Sequence, residues 1–367
     1  MPARASRRRT YRIGPVDIET IAVSPELQLR VAARLGQYAV DGAESGDGCA
    51  APQTPADSVS AAQAAQVPPA PAGKIRMTLI GFEATERIRF RLPKDARLID
   101  KNRRAGYYEC RGLWIVLLRT ATIIVNRKAN KLLALAYPDD LAAPSYLEEF
   151  LHPLSELLRW NGLYEFHAAA VSLPAPDGSG EEPGVLLLGA SGSGKTTLAV
   201  ELAARGGFGF LGDDRCYLGE TGRIGAAVWA FHEPVRYYPV NFAALPEVAA
   251  AGEASDLPVL PGGKRQVDLA KLYPERMRRR CRLRALLFPK YDPESAESRL
   301  VPLPPAEAMI AMLPLTMVCF DRATSERHFA FCARLANELP AARIVLGRDR
   351  ERWPELVKKF MGGPPEK

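Results

Sequence analysis

Eight residues, Gly189-Ala-Ser-Gly-Ser-Gly-Lys195-Thr196, match the pattern Gly-x-x-x-x-Gly-Lys-[Ser/Thr], and the fixed positions suit one chemistry. Glycines at 189, 192 and 194 let successive backbone N–H groups turn inward around a polyphosphate. A helix opening at Lys195 turns its positive dipole end and unpaired N–H groups toward the same anion. Lys195 supplies a point charge for the β- and γ-phosphates, and the Thr196 hydroxyl is placed to ligate Mg²⁺. Ala190, Ser191, Ser193 and Thr197 complete the stretch expected to touch the nucleotide. The bland alternative is an ordinary glycine-rich turn. Against it stands the context: Gly184-Val-Leu-Leu-Leu188 reads as a buried strand, and an amphipathic helix follows the loop to about Arg205. The expectation is a nucleoside triphosphate site.

Asp213 and Asp214 follow Thr196 by 17 and 18 residues, at the end of an apolar run. A carboxylate there is expected to complete a Mg²⁺ shell in a phosphate-loop protein. Two neighbours on a strand point to opposite sides, so one can face the metal while the other serves a substrate hydroxyl as general base. The alternative leaves one Asp catalytic and the other a turn residue or an ion-pair partner of Arg215. The residues alone do not fix which Asp faces the phosphates. His167 lies on the strand expected to pair with the loop strand, between Phe166 and three alanines. In isolation such a histidine reads equally as a satisfied core residue.

The elements that must hold these residues are legible around them. Leu163–Leu173 reads as one strand, and Pro174–Pro183 is a polar turn short enough for an antiparallel hairpin with the loop strand. Phe208–Leu218 reads as a strand carrying both aspartates. Leu283–Pro289 and Ala342–Leu346 read as strands, and Ala306–Leu315 and Ser325–Leu339 as helices. Upstream, Tyr11–Val23 reads as one or two strands and Ser24-Pro25 as the start of a helix. Strands from Ile75 to Ala136, separated by turn-like segments, suggest an antiparallel meander. Leu147, Phe150, Leu151, Leu154 and Leu157–Leu158 have helical spacing over Pro144–Trp160, and Asn161-Gly162 ends that helix.

Taken together, His167-Ala-Ala-Ala-Val, a hairpin, Gly-Ala-Ser-Gly-Ser-Gly-Lys-Thr-Thr-Leu and Phe-Leu-Gly-Asp-Asp resemble the catalytic domain of HPr kinase/phosphorylase. The likeness is closer to the HPr-kinase-like proteins of bacterial peptide-biosynthesis clusters, including lasso peptide kinases. It covers Leu163 to about Leu218, with weaker likeness in Tyr11-Arg-Ile-Gly and Leu154–Gly162. The resemblance implies an α/β fold with a mixed sheet, the phosphoenolpyruvate carboxykinase-like phosphate-loop fold, beneath a strand-rich N-terminal portion. It implies ATP and Mg²⁺, His167 beside the transferred phosphate, Asp213 as the base, and Asp214 with Thr196 on the metal. The acceptor it implies is a serine on a peptide or protein. Thr197 stands where HPr kinases carry glutamate, and their glycine-rich segment for phosphorolysis has no counterpart, so neither HPr nor the reverse reaction is implied. Rival readings are a small-molecule kinase on the same fold and a nucleotide-gated regulatory module. No Asn-Lys-x-Asp-like segment suggests a GTPase, and no Leu-Ser-Gly-Gly-Gln-like segment an ABC-type ATPase.

Composition sets the outer bounds. With 367 residues, 47% hydrophobic and 25% charged, the chain can bury a sizeable core in two domains. The net charge of +7 owes five positive charges to Arg4, Arg7, Arg8, Arg9 and Arg12, so residues 1–10 are expected to be a solvated, disordered arm and nucleic acid is not the expected partner. Six scattered cysteines without a C-x-x-C pair imply a reducing compartment. No signal peptide and no membrane span is expected, and the expected location is the cytoplasm. Residues 41–73, rich in Ala, Pro, Gln, Ser and Gly, read as a flexible insert within a strand-rich region 11–143. The kinase domain is expected over 144–346, and 347–367 as a charged tail. Lys264 and Arg265 are candidates for a charge-neutralising finger, and the arginines of Lys271–Arg284 for an acidic ligand or an ion-pair network. Self-association is left open.

Overall fold

The computed structural model describes residues 7–22, 25–40, 74–81, 90–101, 105–118, 121–137, 144–175, 181–221, 225–316 and 321–362. The chain divides into two compact units, Met1–Gly162 and Leu163–Lys367. The expected insert 41–73 lies outside the described residues.

The first unit contains β1 (Arg7–Ile13), β2 (Val16–Ala22), α1 (Pro25–Leu35), β3 (Lys74–Gly81), β4 (Arg97–Lys101), β5 (Ala105–Cys110), β6 (Leu113–Leu118), β7 (Ala121–Asn126), β8 (Lys131–Ala136) and α2 (Pro144–Trp160). The eight strands form one sheet in the order β1-β2-β3-β8-β7-β6-β5-β4. From β5 to β8 it is the expected antiparallel meander, and β4 extends it by pairing antiparallel with β5. β3 departs from that pattern, because it lies parallel to both β2 and β8. The β2–α1–β3 segment is thus a parallel crossover, which requires an intervening connection long enough to return the chain. The last four residues of the expected basic arm, Arg7–Thr10, are strand. Arg7–Thr10 pair with Glu19–Ala22 in β1, anchored by the fully buried Tyr11 and Ile13 next in the strand.

α2 has the predicted ends, but it belongs to the first unit rather than opening the second. Its apolar stripe, with Leu154, Leu157 and Leu158 buried, meets β6 and β7. Its last turn is tied to the β7–β8 turn by two amide hydrogen bonds between Asn130 and Asn161, 3.2 and 3.0 Å. Helical periodicity gives the stripe but not the surface that it covers.

The second unit contains β9 (Leu163–Phe166), β10 (Ala168–Ser172), β11 (Pro183–Leu188), α3 (Lys195–Ala204), β12 (Gly209–Gly212), β13 (Cys216–Glu220), β14 (Ala226–Trp229), β15 (Val235–Tyr237), α4 (Pro246–Glu253), β16 (Arg265–Val267), α5 (Leu269–Leu272), β17 (Arg280–Tyr291), β18 (Arg299–Pro302), α6 (Pro305–Met312), α7 (Arg322–Glu338), β19 (Ala341–Leu346) and α8 (Trp353–Gly362). Its main sheet runs β12-β10-β11-β17-β14-β13-β9, with β19 beside β17 and β18 beside β19. The sheet is mixed: β11 and β19 lie parallel to β17, whereas β10 is antiparallel to β11 and β14 to β17. One face packs α3, α4 and α8 through Leu198, Leu202, Val248 and Trp353. The other packs α6 and α7 through Met312, Phe331 and Leu335. This is a three-layer α/β unit.

Residues 347–367 do not form the expected charged tail throughout. Trp353 and Val357, one helical turn apart, are fully buried, and the Trp353 indole N–H donates to Ser298 Oγ at 2.9 Å. Lys358 and Glu355 pair on the exposed side at 2.9 Å. The abundance of charge hid an amphipathic helix. Among the described residues, no helix is long and apolar enough to cross a membrane.

Candidate active site

β11 delivers the chain to the glycine-rich loop, and α3 begins at Lys195 as its spacing predicts. Gly192 (φ 83°) and Gly194 (φ 102°) take left-handed backbone conformations that a side chain would oppose. Gly194 is the N-cap of α3 and no side chain caps that end, which leaves its first N–H groups facing the loop interior. The buried Ser193 hydroxyl has no protein partner. Lys195 is buried, and its ammonium donates to the carbonyls of Gly189 (2.5 Å) and Ala190 (3.1 Å). Burial lowers the Lys195 pKa, while the charges of Asp213 and Asp214 pull it upward. Ala190 and Ser191 are exposed at the loop crest, and Thr197 is half-buried in the first turn of α3.

The two strands that were expected to be continuous are both broken, and at the same place. β9 pairs with β13, while β10 pairs with β12. The chain therefore changes partner at His167 on one side and at Asp213–Arg215 on the other. Gly212 permits the corner, since a Cβ there would stand 3.0 Å from the Phe231 carbonyl and 3.2 Å from that of Arg215. Asp214 takes a left-handed conformation, φ 62°, which Asp tolerates better than most residues. Strand propensity runs through both segments, so only the Gly-Asp-Asp sequence hinted at a turn.

This corner separates the two aspartates by environment rather than by strand alternation. Asp213 is buried, and its Oδ2 accepts from the Thr196 hydroxyl at 2.7 Å. Its Oδ1 is buried with no protein partner. Burial first, and then the charge of Asp214, push the Asp213 pKa up to about 7, against the pull of the Thr196 bond and Lys195. Asp214 is half-exposed and lies against His167: the imidazole Nδ1 is 3.0 Å from the Asp214 carbonyl and Nε2 is 4.0 Å from its carboxylate. The His167 side chain is 44% exposed, which removes the core-histidine reading. Its backbone N–H donates to the Leu315 carbonyl at 2.8 Å.

Arg215 pairs with Glu165 at 3.2 Å and lies over the Phe231 ring, 5.0 Å from the centroid. Glu165 thus braces the corner, a role with no signature in the sequence. Lys264 lies over the Tyr238 ring at 5.1 Å, and Arg265 is in β16 opposite Tyr237. Of the arginines near β17, Arg278 and Arg280 are paired with Glu182 and Glu181 at 2.6 and 3.0 Å. That is the ion-pair-network alternative.

Among the described residues, no three or more His, Cys, Asp or Glu side chains converge as a metal cage. Mg²⁺ does not require one, because it takes one or two protein oxygens and fills its octahedron with water and phosphate oxygens. The Thr196 hydroxyl and the partnerless Asp213 Oδ1, both hard oxygens beside a phosphate cradle, fit that ion.

No protein-family model matches the chain, and no curated protein matches it. Among solved structures, it is similar to the HPr(Ser) kinase/phosphatase from Coxiella burnetii, with 12% sequence identity over 53% of this chain and 94% of that one and a TM-score of 0.28.

Proposed function

We propose that the second unit is an ATP-dependent kinase that transfers the γ-phosphoryl group to a hydroxyl, with serine of a peptide or protein as acceptor and with the phosphoenolpyruvate carboxykinase-like fold implied by the sequence resemblance. The observation that carries this reading is the bond from Thr196 to Asp213 across the base of the loop, with a second, exposed carboxylate one residue on. A nucleotide-binding module needs the first carboxylate. The second supplies the base that a transferase requires for its acceptor.

The residues divide the work as follows. The backbone of Gly189–Gly194 and the N-terminus of α3 bind the polyphosphate. Lys195 leaves its loop carbonyls to neutralise the β- and γ-phosphates. Thr196 and Asp213 hold Mg²⁺, which when bound offsets charge on the phosphate oxygens. Asp214 faces the incoming acceptor and removes its proton, and His167 orients that carboxylate and lies beside the transferred group. This reverses the division implied by the family resemblance, because the Thr196 hydroxyl goes to Asp213. Phosphoryl transfer needs little covalent chemistry, so positioning and charge neutralisation supply most of the rate.

The test is transfer from γ-labelled ATP with Mg²⁺ to a serine-containing peptide library. Label on serine is the expected result. Label released only as inorganic phosphate would replace the kinase with a nucleotide-hydrolysing module, and label on a small-molecule alcohol would replace the acceptor.

A further inference from the structure

The loop accounts for the phosphates of a nucleotide but not for its base. Tyr291 ends β17, whose parallel neighbours β11 and β19 finish on the same edge. Ligands of α/β sheets bind beyond such carboxyl ends. β17 pairs with β11 as far as Leu187–Leu287 and then runs four residues further, which brings Tyr291 level with the loop. Its backbone N–H donates to the Ser193 carbonyl at 3.0 Å, and the next residue, Asp292, donates to Leu346 at 3.0 Å. A Cβ added at Gly194 would stand 3.6 Å from the Tyr291 Cβ. Alternation along β17 places Tyr291 on the face of Leu287, which packs in the same core as Leu198 of α3. An aromatic residue with a doubly tied backbone therefore stands beside the phosphate cradle, 45% exposed.

We propose that Tyr291 is the aromatic wall against which the base of a nucleoside triphosphate packs. The inference rests on reading Gly189–Thr196 as a triphosphate site. Aromatic stacking tolerates any base, because every base has a π-face, so Tyr291 binds ATP and GTP alike.

Calorimetric titration of the full chain with MgATP and, separately, with inorganic tripolyphosphate and Mg²⁺ tests it in wild type, Tyr291→Ala and Tyr291→Phe. Stacking is worth about 1–3 kcal/mol per base by alanine substitution, or roughly 5- to 150-fold in affinity. Tyr291→Ala is expected to lose that factor for ATP and none for tripolyphosphate, and Tyr291→Phe to retain both. Undiminished ATP affinity in Tyr291→Ala would overturn the inference and leave the loop intact as a site. Equal weakening of both ligands would also overturn it, because the change would then be acting on the loop. Tripolyphosphate and ATP both failing to bind wild type would overturn the reading of the loop itself.

Discussion

Asp213→Asn probes the cost of building this site. In the folded chain the Asp213 carboxyl titrates at about 7, against an ordinary value of 3.8. Between those values the folded state keeps a proton that the unfolded state has released. Stability therefore falls as pH rises through the window, since slope follows the protons bound by the unfolded minus the folded state. Three units at about 1.4 kcal/mol each give a loss of about 4 kcal/mol, complete just above pH 7. The slope is largest midway between the two values, approaching about 1.4 kcal/mol per pH unit, and is about half that at the folded value. The amide introduced by Asp213→Asn carries no proton to lose. Without nucleotide and with EDTA present, wild type should lose stability from pH 5 to 8 more steeply than the variant, by up to one proton. The slope difference is independent of whatever the amide costs when buried. Urea unfolding read by amide exchange on peptides of Leu163–Lys367 reports this unit alone. Adding MgATP should stabilise wild type far more than Asp213→Asn. Parallel pH profiles for the two proteins would refute the argument, because they would mean that Asp213 is ionised in the fold without penalty.

Asp214→Asn should leave MgATP affinity nearly unchanged and lower single-turnover phosphoryl transfer by about 10²- to 10⁴-fold, the usual worth of a general base; full transfer would remove Asp214 from that role. Trp353→Ala should destabilise the second unit by about 3–5 kcal/mol, as large aromatic deletions in a core do, and it also leaves the Ser298 hydroxyl without its indole donor. The same exchange measurement reads it, and a loss under about 1 kcal/mol would return residues 347–367 to the status of a tail.

What could be read in advance followed from local chemistry. The loop, the start of α3, the β10–β11 hairpin and the β5–β8 meander are set by glycine spacing, turn residues and apolar period, all contained in short windows. The features that escaped are set by partners distant in sequence. His167 interrupts an apolar run because β9 and β10 pair with different strands, and β12 and β13 part at Asp213 for the same reason. The roles of the two aspartates hang on that corner: a straight strand would alternate them, whereas φ 62° at Asp214 buries one and exposes the other. α2 showed its length and stripe but not the sheet it covers. In α8 the buried positions Trp353, Pro354 and Val357 were outweighed by the surrounding charge. β3 reads like any meander strand, and only its register reveals that it is parallel to its neighbours.

The central claim is that Gly189–Thr196 is a triphosphate cradle whose cation is Lys195. Calorimetry of MgATP binding to wild type and to Lys195→Ala tests it without reference to any acceptor. Lys195 is bonded only to two loop carbonyls at 2.5 and 3.1 Å, so its removal should leave the unit folded. The account predicts one saturable site in wild type and binding weakened by at least about tenfold in Lys195→Ala, since charge-assisted hydrogen bonds are worth about 1.5–3 kcal/mol each. Equal affinity in the two proteins, or no binding by wild type, would contradict it.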